Sequence, residues 1–276
     1  MPPDPSGPTS QVGPQVLHVP APAESASVAV YGIGHAGAGA APWNAVAEFL
    51  SPDIEVRAYR LPGRENRFRE SAHESIEAAA AELAEAIAGR LDDDGRPYLV
   101  AGVCSGALIG RVALELIARN HPDAASAALG LVVIDQRAPT TSVSELSMLS
   151  AAQLRQWLRE HGGTAAEILD DDRLFAFYEP ALRTDLRMAE AYLHGPERLA
   201  PPMLLVRGPG QQDEDLDLAA WRSDAAGPVH VIDSAAGGGL LLGTDPRELA
   251  ATLKAAVETA ETVRTTAQRI PEEARQ

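Results

Sequence analysis

Hydrophobic and polar positions along this chain follow two alternating patterns. Short apolar runs rich in β-branched residues, such as Ser27 to Tyr31 and Ile54 to Tyr59, predict buried strands. The longer segment from Ser75 to Leu91 (SIEAAAAELAEAIAGRL) has apolar residues at helical spacing and is rich in alanine, so it predicts a helix. Strands that alternate with helices predict an α/β fold with a mostly parallel central sheet, flanking helices and right-handed crossovers.

The same patterns divide the chain. Further strands are predicted at residues 98–103, 129–134, 203–206 and 229–232. Further helices are predicted at residues 43–50, from the end of the strand at 98–103 to about residue 120, and from residue 246 to about residue 265. Between about residues 142 and 192 only helical segments follow one another, which is typical of a lid inserted between two sheet strands. The prediction is one domain, 26–265, with a Pro/Gly/Ser-rich disordered leader at 1–25 and a flexible tail at 266–276.

Composition narrows the classes of function. The net charge of −16 repels phosphate backbones and anionic lipid headgroups, so nucleic-acid binding is not expected. No apolar run has the length of a membrane span. The single cysteine allows no intramolecular disulfide and no cysteine cluster for a metal. We therefore expect a cytoplasmic protein without a metal site.

A nucleophile-elbow motif follows the strand at 98–103. Gly102-Val103-Cys104-Ser105-Gly106 has the spacing Gly-x-Ser-x-Gly, with a cysteine in the place of the serine. Small flanking residues such as Gly102 and Gly106 suit the tight strand-to-helix turn. The start of the following helix favours a thiolate at Cys104. The alternative is a buried cysteine that acts only as a small hydrophobe.

A second tight turn, Gly32 to Gly39, follows the first predicted strand. No Lys-Ser or Lys-Thr pair follows its glycines, so a phosphate-binding loop is disfavoured. In a fold with an elbow, this loop supplies one backbone N–H to the oxyanion hole, here from Ala36, and Ser105 supplies the other. His35 in the same loop is the best-placed candidate for a catalytic base.

The order of these features resembles the discrete type II thioesterases of polyketide and nonribosomal peptide biosynthesis, from about Val28 to Leu253. The segments that carry the resemblance are GIGHAGAGAAPW, VRAYRLPGRENRF, HGGTAAEILDD, EPALRTDLRMAEAY, and LAAWR followed by GGGLLL, the last pair matching the family's C-terminal strand and turn. The resemblance implies an α/β-hydrolase fold with a helical lid. It also implies a substrate held on an acyl or peptidyl carrier protein by phosphopantetheine, with no other cofactor.

Three catalytic positions depart from the family or are ambiguous. Cys104 replaces the serine, and Gly239 stands where the family's catalytic histidine follows a Gly-Gly pair. The family's acid follows the strand at 203–206, where Asp213, or Asp215, matches only with a shift in register. Asp135, at the end of the predicted strand at 129–134 that follows the elbow helix, is the other candidate acid, because the integrated thioesterases of polyketide synthases carry their acid at the end of the corresponding strand. His230, on the strand before the glycine turn, is a second candidate replacement base.

The missing histidine changes the expected chemistry. A thiol, with a free pKa of about 8.5, exchanges with a thioester without a base, whereas hydrolysis needs one to activate water. The leading hypothesis is an acyl- or aminoacyltransferase that works through an acyl-enzyme at Cys104, like the cysteine-bearing relatives of these thioesterases. The alternatives are an editing thioesterase, a degenerate pseudoenzyme that binds a carrier or another partner, and cyclisation or elimination on a tethered chain.

Carrier proteins are usually acidic, so docking on this acidic chain needs a local basic patch. Two groups of arginines could form one: residues 60, 64, 67 and 69 in one loop, and residues 183 and 187 on one helix face. Both groups could instead pair with nearby carboxylates.

Overall fold

The computed structural model describes residues 15–138, 145–236 and 241–269, which form a seven-stranded sheet flanked by helices. The spatial strand order is β1-β3-β2-β4-β5-β6-β7. Neighbouring strands are parallel except that β1 runs antiparallel to β3. The strands are β1 (Leu17–His18), β2 (Val28–Ile33), β3 (Ile54–Tyr59), β4 (Tyr98–Val103), β5 (Ala128–Ile134), β6 (Met203–Arg207) and β7 (Val229–Asp233). The predicted α/β fold with a mostly parallel sheet is confirmed.

Ten helices cover the two faces of the sheet and form the lid in the described part of the chain. They are α1 (Trp43–Leu50), α2 (Ile76–Asp94), α3 (Ser105–Asn120), α4 (Pro122–Ala127), α5 (Ala151–His161), α6 (Ala166–Asp170), α7 (Asp172–Ala191), α8 (Leu218–Asp224), α9 (Leu241–Thr244) and α10 (Pro246–Arg269). One face of the sheet packs on α2, α3 and α8, and the other on α1, α9 and α10. The sheet is therefore buried on both sides.

Local sequence explains most of these bounds. The central strands are buried along their whole length, and strands covered on both faces are continuous apolar runs. Helix α2 begins where the Ser75 hydroxyl accepts a hydrogen bond from the N–H of Ala78, and it ends at Gly95 in the left-handed conformation (φ 62°). The predicted helix at 43–50 and strand at 54–59 have the observed bounds.

A helical insertion between β5 and β6 confirms the helical character of the predicted lid. It contains α5, α6 and α7, and its buried apolar side chains form a separate cluster that also includes Ala36 of the glycine-rich loop. Ser150 begins α5 with a reciprocal capping box to Gln153. The predicted first residues of the lid fall within 139–144, outside the described part of the chain. The lid thus packs directly on the loop expected to form the oxyanion hole.

Three predicted boundaries or elements are wrong. The disordered leader was expected to reach residue 25, but Val16 is buried and β1 pairs with β3; a strand of two residues is too short to show alternation in the sequence. The flexible tail is predicted to begin at residue 266, but helix α10 continues to Arg269. The LAAWR segment is a helix, α8, because Leu218 and Trp221 share one buried helical face.

Residues 1–14 and 270–276 lie outside the described part. Among the described helices, none combines the length and the apolar character that crossing a bilayer requires.

Candidate active site

The elbow predicted around Cys104 is present as a strained turn between β4 and α3. Cys104 has φ 51° and ψ −126°, a backbone conformation that residues other than glycine rarely adopt. A Cβ on Gly102 would lie 2.3 Å from the backbone nitrogen of Ala107. A Cβ on Gly106 would lie 2.6 Å from the carbonyl oxygen of Gly34. The two flanking glycines are therefore required by close backbone contacts.

The predicted oxyanion-hole donors both lie at the Cys104 sulfur. The backbone N–H groups of Ser105 and Ala36 interact with it and lower its pKa, as a site that stabilises negative charge should. Burial raises the pKa more strongly, and the carboxylate of Asp135 raises it further, so the thiol pKa lies above its ordinary value although the residue is partly exposed. The Ser105 N–H at the helix start thus favours the thiolate, as expected, but removal of the sulfur from water outweighs this contribution.

Asp135 lies beside Cys104 at the carboxyl ends of adjacent parallel strands. Val103 of β4 pairs with Ile134 of β5, and the Cys104 N–H donates to the Ile134 carbonyl at 2.8 Å. The two residues that follow are therefore neighbours across a strand spacing of about 4.8 Å. Asp135 also has a positive φ of 51°. Solvent reaches its side chain, but the surrounding protein raises its pKa to about 6 by desolvation.

A pocket of about 200 Å³ opens next to Asp135 at the ends of β5 and β6. It is lined by Val133, Asp135, Gln136, Arg137, Leu205, Val206, Gln211, Asp215 and Leu216. Of the two alternative acids, Asp213 points to the surface and lies 3.3 Å from an Arg207 guanidinium nitrogen, while Asp215 lines this pocket on the segment after β6. Asp135 is consequently the predicted acid that is both next to Cys104 and in a pocket.

The His35 imidazole contacts backbone carbonyl groups and not the Cys104 sulfur, so it is not placed to act as a base for Cys104. Its Nδ1 lies 3.0 Å from the carbonyl oxygen of Ala36, and the imidazole also interacts with the Gly163 carbonyl of the lid. Burial lowers its pKa, which favours the neutral ring. The structure thus shows His35 as a link between the glycine-rich loop and the lid.

His230 is too far away to replace the family histidine. It lies near the start of β7 and is level with Ala101 of β4, which precedes Cys104 by three residues. Three strand spacings, about 14 Å, and about 10 Å along the strand direction separate the two backbone positions. Its Nε2 is buried without a hydrogen-bond partner. His230 therefore cannot act on the Cys104 sulfur in this fold.

No imidazole is hydrogen-bonded to the Cys104 sulfur, although all seven histidines lie in the described part of the chain. The five not yet discussed contact other groups: His18 contacts Asn44, His73 contacts Glu82, His121 contacts Glu85, His161 contacts the Trp157 carbonyl, and His194 contacts Asp224. Gly239 lies outside the described residues. Shortly after it, buried Leu242 lies 3.7 Å from the Cβ position of Gly34. Leu242 thus brings an apolar side chain to the glycine-rich loop.

The first arginine group predicted to dock a carrier is mostly engaged within the protein. Arg60 Nε donates to Glu65 at 2.7 Å, and Arg64 and Arg67 are buried and paired with carboxylates. Only Arg69 of this group is exposed, beside the exposed ring of Phe68. The alternative that these arginines pair with nearby carboxylates therefore holds for Arg60, Arg64 and Arg67.

The second arginine group lies on α7 of the lid. Arg183 pairs with Glu179 and donates to the Ser147 carbonyl, while Arg187 is exposed. Sequence reasoning missed a more telling residue on this helix, the buried Asp185. The sequence signal for Asp185 is its helical spacing from the apolar Leu182 and Leu186, which places a carboxylate on the buried face of the helix.

Within the described residues, no group of three or more His, Cys, Asp or Glu side chains could hold a metal ion.

Comparisons with known proteins agree with this architecture. The chain is 30% identical over 216 residues to the thioesterase PikA5 of Streptomyces venezuelae, covering 75% of this chain and 73% of that protein. It is 32% identical over 211 residues to the antimetabolite synthetase AmbE of Pseudomonas aeruginosa, covering 74% of this chain but 10% of AmbE. The solved structure of RedJ, a thioesterase from the prodiginine pathway of Streptomyces coelicolor, superposes with a TM-score of 0.70 at 25% identity, over 85% of this chain and 91% of RedJ.

A family model gives the same result over most of the sequence. The thioesterase domain model matches residues 29–255, which include the elbow, the glycine-rich loop, the lid and the first part of the final helix. The likeness suggested by the LPGRE loop and the elbow is thereby confirmed. This chain, with a cysteine at the elbow and no imidazole bonded to its sulfur among the described residues, therefore belongs to the thioesterase domain family.

Proposed function

We propose that this protein is an acyl- or aminoacyltransferase that accepts an acyl group from a carrier-protein thioester on Cys104 and passes it to a second acceptor. The observation that carries this proposal is the combination at the elbow: a sulfur with two N–H donors of an oxyanion hole and no imidazole beside it. Thioester exchange between thiols is nearly isoenergetic and needs little help from a base, whereas hydrolysis needs an activated water.

The loading step is a balanced exchange. The Cys104 sulfur attacks the thioester carbonyl, its S–H proton is transferred, and the bond from the acyl carbon to the carrier's phosphopantetheine sulfur breaks. The N–H groups of Ser105 and Ala36 stabilise the tetrahedral oxyanion. The proton ends on the departing thiol, so the products are acylated Cys104 and a free carrier thiol. The reverse exchange with an acceptor thiol releases the acyl group.

In this proposal Asp135 carries the proton between the two sulfurs. Its position beside Cys104 and its pKa of about 6 leave it ionised at neutral pH but basic enough to take a proton in the transition state. His35 does not serve as the base, because its contacts go to the Ala36 and Gly163 carbonyls. We assign it instead to holding the glycine-rich loop.

The polyketide and nonribosomal peptide setting is also part of the proposal. It rests on the similarity to PikA5 and on solved structures such as the type II thioesterase BorB from the borrelidin cluster, which is 26% identical with a TM-score of 0.69. The exposed arginines of the two groups, Arg69 and Arg187, are the candidates for contact with an acidic carrier.

The deciding test is intact-protein mass after incubation with an acyl-loaded carrier or a small acyl thioester. The parent is expected to gain the acyl mass, keep it in buffer, and lose it when a free carrier thiol is added. Cys104→Ala is expected to gain nothing. Rapid release of free acid without an acceptor would instead establish an editing thioesterase.

One observation favours a second candidate, a carrier-binding protein without turnover. Burial keeps the Cys104 thiol protonated at neutral pH, which weakens it as a nucleophile. Carrier binding without any mass gain from either donor would establish this candidate and refute the transferase.

The role proposed for Asp135 predicts a pH dependence. The Asp135 carboxylate assists loading, so the loading rate is expected to rise with pH through the Asp135 pKa of about 6 and again as the thiol ionises at higher pH. Asp135→Asn should remove the lower inflection and slow loading at pH 7 by about 100-fold. The same change should lower the thiol pKa, because it removes a negative charge beside the sulfur.

Two rates measured against pH separate these effects. Loading reports on the proton transfer, and alkylation of Cys104 by iodoacetamide reports on the thiol pKa alone. Asp213→Asn is the matched control, because Asp213 pairs with Arg207 at the surface. An Asp135→Asn protein that loads at the parental rate and keeps the inflection near pH 6 would remove Asp135 from the mechanism.

A further inference from the structure

The glycine-rich loop is fastened to the lid through one buried carboxylate. Asp185 Oδ2 accepts a hydrogen bond from the Gly37 N–H at 2.8 Å. The Arg64 guanidinium donates to both carboxylate oxygens at 2.7 Å and to the Ala38 carbonyl at 2.8 Å. Asp185 and Arg64 are both buried. Residues from three separate segments, the loop, the LPGRE turn and lid helix α7, thus meet at one ion pair.

We infer that Asp185 and Arg64 are positioning residues that set the oxyanion hole and make its geometry depend on a docked lid. The inference rests on the proposed function, because it takes Ala36 as a donor to the reacting carbonyl. The peptide between Ala36 and Gly37 is held at both ends: His35 Nδ1 contacts its carbonyl oxygen at 3.0 Å and Asp185 accepts from its N–H. Holding this peptide plane fixes the direction of the adjacent Ala36 N–H.

The loop needs such fastening because of its composition. Its residues are glycine or alanine from position 36 to 41, and Gly37 has a φ of +81°, so side chains give it little stiffness of its own. A displacement of about 1 Å at a catalytic donor costs up to about 100-fold in rate. A bidentate ion pair with a second bond to the backbone supplies direction as well as attraction.

The attachment of the glycine-rich loop depends on the lid remaining packed against it. A Cβ on Gly37 would lie 2.3 Å from the Tyr178 hydroxyl of α7, and Ala36 belongs to the same buried cluster as the apolar side chains of the lid. Movement of α7 away from the body would therefore separate Asp185 from Gly37 and expose the Arg64 charge. The oxyanion hole is complete only when the lid is seated.

The test compares Asp185→Asn with the parent in two kinds of measurement. The variant keeps the shape of the side chain but cannot hold Arg64 with two charged oxygens. The kcat for loading from a small acyl thioester is expected to fall 10- to 100-fold, with KM changed less than about twofold. Alkylation of Cys104 by iodoacetamide uses no oxyanion hole and should change much less than loading, because it is affected only through the weak contact of the Ala36 N–H with the sulfur. Arg173→Gln, an exposed site on the same helix, is the control.

Amide hydrogen exchange provides a readout that does not depend on turnover. Exchange in the segment 35–39 is expected to be at least about tenfold faster in Asp185→Asn than in the parent and the control. This measurement stands even if the parent takes up no acyl group, so the proposed function can fail without deciding the fate of the ion pair. Should Asp185→Asn not fold, Arg64→Lys, which keeps the charge but loses the fork, replaces it. Parental kcat and parental exchange in a folded variant would overturn the inference.

Discussion

Replacing Cys104 with serine is expected to slow acyl loading by about 10²- to 10⁴-fold, the usual contribution of a general base. Serine restores the common elbow sequence, yet a hydroxyl is a poor nucleophile unless a neighbouring base removes its proton. No imidazole is bonded at the position of the sulfur in the described structure, and Asp135 with a pKa of about 6 is a weak base for an alcohol. Intact-protein mass against time, with excess donor, gives the rate.

The control for this substitution is its folded state, since serine is close to cysteine in size. Parent and variant should have the same unfolding midpoint in urea, because the elbow backbone and its flanking glycines are unchanged. A serine variant that loads as fast as the parent would contradict the proposal. It would show that a base strong enough to activate a hydroxyl acts at this site and would favour an editing thioesterase.

Removal of the Asp224 carboxylate is expected to lower the free energy of unfolding by about 3 to 5 kcal/mol, the usual cost of breaking a buried ion pair. Arg111 on α3 and Asp224 on α8 are joined by two hydrogen bonds of 2.7 and 2.6 Å, and both side chains are almost fully buried. His194 also contacts this carboxylate at 2.8 Å. Asp224→Ala therefore leaves a buried guanidinium without its main partner. Urea unfolding measures the change.

Arg119 is the matched comparison for this ion pair. Arg119 lies on α3, the helix of Arg111, is half-exposed, and pairs with carboxylates that are themselves partly exposed. Arg119→Ala should cost no more than about 1 kcal/mol, because exposed pairs are screened by water. Equal losses in Asp224→Ala and Arg119→Ala would show that burial of the first pair contributes nothing to stability.

The chemistry near Cys104 was partly readable in the sequence because the elbow is a local structure. Glycines two residues before and after the nucleophile position are needed where backbone approaches backbone, and that need follows from spacing alone. The placement of Asp135 was also accessible, since it ends the strand that follows the elbow helix. The direction of the His35 ring was not accessible, because the lid carbonyl that it contacts belongs to a distant segment.

The thiol pKa illustrates the same division. The helix start is a local feature and favours the thiolate, whereas burial is the sum of everything packed around the sulfur. The arginine groups are similar. Their clustering is visible in the sequence, but whether Arg64 meets solvent or Asp185 depends on where α7 is docked.

By itself the sequence determined the parallel sheet, the bounds of several strands and helices, the elbow with Cys104, and the absence of a histidine at position 239. These features follow from apolar periodicity, close backbone contacts and residue identity, all of which act over a few residues. Only the tertiary structure decided which charges are paired, where the imidazoles point, and that burial outweighs the helix start at the sulfur. Those outcomes depend on contacts between distant segments and on the exclusion of water, which no local pattern encodes.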